Sequence, residues 1–150
     1  ISKVSFSKKL DSYVLASSGI YFFTSQNIVS PKLKSSFPEQ SEIKSVAYNK
    51  DYVVMLTDNI SDQYKYTLKV YKTSGSLVLE KGINYDYERL DIDKDYIFLS
   101  DNNSCLVYNT EGKVKFESDL EFPVLKFLKA GMGDGLILLG DSKMNYIDLK

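Results

Sequence analysis

The sequence predicts an all-β chain of four-stranded antiparallel units about 40 residues long, the blades of a β-propeller, and two observations carry that prediction. The first is composition: valine, isoleucine, threonine, tyrosine and phenylalanine make up 46 of the 150 residues against three alanines, a balance that favours pleated sheet over helix. The second is an internal repeat with two landmarks. Asn49-Lys50-Asp51-Tyr52-Val53-Val54-Met55-Leu56 returns as Asp93-Lys94-Asp95-Tyr96-Ile97-Phe98-Leu99-Ser100, with weaker copies at Leu10-Asp11-Ser12-Tyr13-Val14-Leu15-Ala16 and Gly133-Asp134-Gly135-Leu136-Ile137-Leu138-Leu139. Aligning Tyr13, Tyr52, Tyr96 and Leu136 gives spacings of 39, 44 and 40. In the same frame, Val70-Tyr71-Lys72-Thr73-Ser74-Gly75-Ser76-Leu77 matches Val107-Tyr108-Asn109-Thr110-Glu111-Gly112-Lys113-Val114. A β-sandwich has no reason to repeat both turns once per four strands, whereas a propeller blade does.

Each unit parses in order. The first strand alternates (Ser45 to Tyr48, Arg89 to Ile92) and leads through a Lys-Asp turn into an apolar second strand (Tyr52 to Leu56, Tyr96 to Leu99) that reads as buried on both faces. A polar loop follows, then a third strand (Thr67 to Tyr71, Cys105 to Tyr108), a glycine turn, and a fourth strand (Leu77 to Glu80, Val114 to Glu117). The approximate blades are 1–42, 43–86, 87–122 and 123–150, one domain in all. The last unit reaches Tyr146-Ile147-Asp148-Leu149-Lys150 where its third strand falls, so the chain holds nearly four blades. A closed propeller typically has about four to eight, and the expectation is an incomplete propeller, part of a larger one or a half that closes against another chain.

Composition excludes several functions. The chain is 43% apolar and 26% charged, with 20 acids against 19 bases, so it is neither disordered nor an electrostatic partner for nucleic acid. It has no histidine, no tryptophan and one cysteine, which removes the commonest general base, the commonest metal ligand and any intrachain disulfide. Its apolar runs, such as Leu136 to Leu139, are far below the roughly 20 residues needed to cross a bilayer, so this segment is not expected to insert in a membrane. No cofactor or metal is expected. Of the 19 bases only Arg89 is arginine, in keeping with an AT-rich bacterial gene.

The units resemble, distantly, quinone-type and WD-type propeller repeats, although they carry neither Gly-His and Trp-Asp marks nor a docking tryptophan. Tyr71-Lys72-Thr73-Ser74-Gly75 followed by Asp93-Lys94-Asp95-Tyr96 looks most like an uncharacterised family of Gram-positive envelope proteins. That resemblance implies an extracytoplasmic propeller behind an N-terminal membrane helix, tethered by a segment outside this chain. It implies no chemistry.

Propeller ligands commonly meet the face built from the loops between second and third strands and the connections between blades. Those loops each contain an acid, Asp58, Asp101 and Asp141, which read either as a ring of carboxylates for a cation, a sugar or a basic peptide, or as openers of β-turns that bond their own backbone. The loop from Thr57 to Lys65 is the longest and adds Asn59, Asp62 and Tyr64. Asn102 follows Asp101, and Asn84-Tyr85-Asp86-Tyr87 joins two units. Tyr64, Tyr85 and Tyr87 offer rigid contact area for a protein or carbohydrate, or are ordinary strand-flanking aromatics. Asp91-Ile92-Asp93-Lys94-Asp95 opens like a calcium loop but puts Tyr96 and Asn102 where glycine and glutamate belong. Gly131-Met132-Gly133-Asp134-Gly135 has no following helix and reads as a hairpin. Cys105 has no activating partner.

The leading functional expectation is therefore a non-enzymatic binding or scaffold domain presenting loops to a protein or a cell-wall carbohydrate. A carbohydrate-active enzyme fragment would use Asp58, Asp62, Asp101 and Asp141 as paired carboxylates within about 5 to 10 Å of each other. A structural module would assemble through open strand edges, making a second copy its partner.

Overall fold

The computed structural model describes residues 3–6, 12–24, 31–59, 61–131 and 133–149, the first of these segments by its backbone alone. Parts of the first repeat copy (Leu10, Asp11) and Met132 lie outside the described residues. The described residues form strands, turns and loops and no helix, and the strands make four antiparallel sheets, each a simple meander in chain order. The first sheet holds β1 (Lys3–Phe6), β2 (Ser12–Ala16), β3 (Gly19–Thr24) and β4 (Lys32–Pro38). The second holds β5 (Ile43–Tyr48), β6 (Tyr52–Asp58), β7 (Tyr66–Lys72) and β8 (Ser76–Ile83). The third holds β9 (Arg89–Asp93), β10 (Tyr96–Ser100), β11 (Ser104–Asn109) and β12 (Val114–Asp119). The fourth has three strands, β13 (Lys126–Lys129), β14 (Gly135–Leu139) and β15 (Met144–Asp148). The chain divides into two compact units, Ile1–Ile83 and Asn84–Lys150.

The second strands are the apolar centre of their sheets. Every residue of β10 is buried, and in β6 so are Val53 through Thr57, because both faces of these strands carry side chains out of water. In the first unit, Tyr13, Leu15, Ile20 and Phe22 from the first sheet pack on Val53, Met55 and Tyr71 from the second. Phe22 and Tyr71 lie 6.1 Å apart, and Phe37 sits 5.0 Å from Tyr71 at a tilt of 53°. In the second unit, Tyr96, Phe98, Cys105 and Val107 of the third sheet pack on Phe127, Leu136 and Leu138 of the fourth, with Phe98 and Phe127 stacked at 5.1 Å.

The two repeated landmarks turn out to be one device. The Lys-Asp turn and the glycine turn lie at the same end of a sheet and are tied to each other: the Thr73 N–H donates to the Asp51 carbonyl, and the Thr110 N–H to the Asp95 carbonyl, both at 2.9 Å. Within the glycine turns, Gly75 and Gly112 adopt φ of +100° and +81° and each donates to the carbonyl three residues earlier at 2.9 Å. A third repeated feature is a bulge on each fourth strand. Consecutive third-strand residues pair with positions two apart, leaving Lys34, Val78 and Lys115 as extra residues in the first, second and third sheets.

Polar ties join the sheets within each unit. In the first, Glu39 forms a nearly buried ion pair with Lys69, and the Ser35 hydroxyl donates to the Gly75 carbonyl at 2.6 Å. In the second, Arg89 donates to the Leu125 carbonyl. The Asp93 carboxylate accepts the Lys129 N–H at 2.7 Å, and Lys129 Nζ reaches Asp95 at 2.6 Å while lying 4.3 Å from the centre of the Tyr96 ring. The carboxylates of the calcium-like stretch thus serve a lysine, a backbone amide and, through Asp91, Arg89. The Ala130 N–H donates to the Gly135 carbonyl at 2.9 Å, closing the β13–β14 hairpin.

Candidate functional site

Each unit places its candidate residues at the sheet ends opposite the tied turns, and the two sites are described separately.

In the first unit, Asp58 ends β6 with its carboxylate 3.1 Å from Lys44 Nζ, and the same ammonium lies 2.8 Å from Glu42. Lys44 is the extra residue where β5 slips by one against β6, since Ile43 pairs with Thr57 and Ser45 with Leu56. The slip aims it at both acids, whose hydrogen bonds raise its pKa, that of Glu42 most. Beside this triad lies a cleft of about 310 Å³ lined by Leu15, Ala16, Ser17, Glu42, Ile43 and Lys44, at the lower limit of small-ligand pockets, which begin near 300 Å³. Glu42, Lys44 and Ser17 escaped sequence reasoning because their importance comes from the bulge and from the neighbouring sheet. Asn59 is absorbed by its own loop: its side-chain oxygen accepts the Ser61 N–H at 2.8 Å and its amide donates to Thr67 Oγ1 at 3.0 Å. Asp62 is exposed. Tyr64 lies flat on Gly82, so close that a β-carbon there would meet the ring at 2.3 Å.

In the second unit the structure brings Tyr85 and Asp101 together through Ser104. Tyr85 Oη and Ser104 Oγ are 2.6 Å apart, and Asp101 Oδ1 accepts the N–H groups of Asn103 and Ser104, both at 2.7 Å. Those two amides, Asn103 first, hold the Asp101 carboxyl below its usual value, while burial raises the Tyr85 phenol despite its bond to Ser104. Asn102 donates weakly to Glu88 at 3.4 Å. Tyr87 is half-buried and Asp141 exposed, in a turn closed by the Gly140 N–H to the Lys143 carbonyl at 2.8 Å. Cys105, next in the chain after Ser104, is fully buried and its thiol is pushed up to about 12, so it is inert at neutral pH.

Asp101→Ala is expected to loosen this loop without unfolding the sheet. The two amides it caps lose their acceptor, so hydrogen exchange at Asn103 and Ser104 should rise by about ten-fold while that of the β10 amides stays put. Unchanged exchange at both amides would show that the carboxylate is not what orders the turn.

The fold and these sites define an all-β repeat protein whose loops are anchored by their own polar side chains. The chain belongs to a family of unknown function (DUF5711), whose model matches residues 1–149. No curated protein matches it.

Proposed function

We propose that the four sheets are blades of an incomplete β-propeller, and that the chain is a non-enzymatic binding or scaffold domain on the outer side of a bacterial membrane. Its recognition loops are those bearing Asp62 and Tyr64 in the first unit and those bearing Tyr85, Tyr87, Asn102 and Asp141 in the second, taken separately, and its ligand is a protein or a cell-wall carbohydrate. Support for the blade reading comes from the face-to-face packing of paired sheets in each unit and from the repeated turn tie and bulge.

The observation that carries the functional reading is the Asp101 turn. A general acid needs a carboxyl with a raised pKa, and Asp101 is displaced the other way by two backbone amides. The loop is held in one shape before any ligand arrives, which lowers the entropic cost of recognition. Asp58 is likewise paired, with Lys44.

The test is co-sedimentation of the purified chain with Gram-positive cell envelope, run in parallel on envelope stripped of protein by protease and detergent. Retention is expected to fall by about ten-fold in the Tyr85→Ala/Tyr87→Ala variant and to be unchanged in Lys113→Ala, at the opposite end of the third sheet. Loss of retention on stripped envelope assigns a protein ligand, and its survival a carbohydrate. Release of reducing sugars that depends on Asp101 would overturn the reading in favour of an enzyme, and retention indifferent to both tyrosines would move recognition elsewhere.

A further inference from the structure

We propose that the cleft between the β2–β3 turn and β5 binds a free α-amino acid with an aliphatic side chain, its ammonium on Glu42, its carboxylate on Lys44 and its side chain on Leu15, Ile43 and Val46. The inference goes beyond the loop-binding reading and uses different residues.

The cleft, of about 310 Å³, has an apolar floor and a charged rim. Leu15 is buried in the core of the first unit, and Ile43 and Val46 pack on that same core. In a regular strand Ile43 and Val46 would face opposite ways, and it is the extra residue at the β5 slip that turns both inward. The slip also leaves Lys44 on the rim, with Glu42 and Ser17. The walls are fixed before any ligand arrives: the Glu39 N–H donates to the Ser18 carbonyl and the Asp58 N–H to the Glu42 carbonyl, both at 2.9 Å.

The rim selects the ligand class. An uncharged molecule would strip water from Glu42 and Lys44 and give them no new partner. A simple cation would meet the ammonium and a simple anion the carboxylate, whereas a zwitterion complements both. Each group has bonding capacity to spare. Glu42 offers Oε2 to Lys44 at 2.8 Å, which leaves Oε1 for a ligand ammonium. Lys44 donates to Glu42 and, at 3.1 Å, to Asp58, and the remaining N–H of its ammonium is left for a ligand carboxylate. Asp58 lies outside the cleft lining, so it holds Lys44 in place and charged without occupying the site. Size sets the rest: against the roughly 30 Å³ share of a water, the cleft holds about ten water volumes, one aliphatic amino acid and not a sugar chain.

The test follows amide chemical shifts of the isotope-labelled full chain during titration with L-leucine, N-acetyl-L-leucine and L-leucinamide. Leucine is expected to move the amides of residues 15–17 and 42–46 and to bind about ten-fold tighter than either blocked form, the first of which lacks the ammonium and the second the carboxylate. In Glu42→Gln the advantage of leucine over N-acetyl-leucine should vanish, and in Lys44→Met its advantage over leucinamide. Both residues are exposed, so the variants keep their fold, checked by circular dichroism. The Tyr85→Ala/Tyr87→Ala variant should bind leucine as the wild type does, which separates this result from the loop-binding reading. Absence of shifts, shifts confined to other segments, or a blocked form binding as tightly as leucine would each overturn the proposal. Leucinamide as the equal ligand would assign the cleft to a peptide N-terminus, and N-acetyl-leucine to a peptide C-terminus.

Discussion

Gly19→Ala is expected to destabilise the first unit by about 2–4 kcal/mol, a large effect for one methyl group. Gly19 opens β3 after the two-residue turn at Ser17 and Ser18, and its φ of +136° lies where L side chains are rarely found. A β-carbon there would meet the Phe37 carbonyl oxygen at 2.3 Å and Pro38 Cα at 2.9 Å. Both obstacles are backbone, part of β4, and β4 is pinned in turn by the Glu39 N–H donating to the Ser18 carbonyl at 2.9 Å. Relief requires moving a strand, so strain and steric clash add. Urea unfolding followed by tyrosine fluorescence measures the change, with Gly131→Ala as the control, since a β-carbon at Gly131 meets nothing within 4 Å. Equal midpoints for the two variants would show that the turn gives way at little cost.

Glu39→Leu is expected to cost about 3 kcal/mol, and the double variant Glu39→Leu/Lys69→Met much less. The ion pair joins the end of β4 to β7 with side-chain exposures of 6% and 15%, so removing the acid strands an ammonium in a poorly hydrated place. Replacing both charges with apolar groups removes that penalty along with the attraction. The pair also predicts a pH dependence. Burial alone would raise the Glu39 carboxyl, but the Lys69 ammonium and the amides of Ser41 and Gln40 more than reverse this, leaving it below 4.5. The unfolded chain therefore binds the proton more readily, and the contribution is fully present above pH 4.5 and lost as pH falls through the lower folded value. Wild type should lose stability on that acid limb and the double variant should lose less. Identical acid limbs would sink the assignment.

The strands were legible because their signals are local. Period-2 alternation and the apolar second strands located eight strands of the second and third sheets, which the structure extends at their ends, as when Leu77 to Glu80 becomes β8 up to Ile83. That extension owes itself to Tyr64, which covers Gly82 and gives an otherwise weak stretch something to pack on. The turn reading of Asp101 was legible for the same reason: an Asx turn bonds residues two and three positions away. What stayed hidden depends on register between segments far apart in sequence. Lys44 lies between Glu42 and Asp58 because of a one-residue slip, and Lys69 finds Glu39 across 30 positions. Neither slip nor pairing leaves a periodic trace. The candidate carboxylates read as one set in the sequence are, in the structure, employed differently: Asp58 by a lysine, Asp101 by amides, Asp62 and Asp141 exposed.

The bond between the Lys-Asp turn and the glycine turn has a consequence for how such a chain can change. Because Thr73 and Thr110 lock the two hairpin ends of their sheets together, length cannot be altered there without breaking the lock. At the far end, residues 59–65 are closed by main-chain bonds at the stem, from the Asn59 N–H to the Lys65 carbonyl and from the Lys65 N–H to the Ile83 carbonyl. The chain between those stem bonds can lengthen at a cost that grows only slowly, about 0.6 kcal/mol per doubling. The sheet is thus a chassis with one sealed end and one editable end, and foreign peptides inserted after Asp62 are the natural way to give this scaffold new specificities.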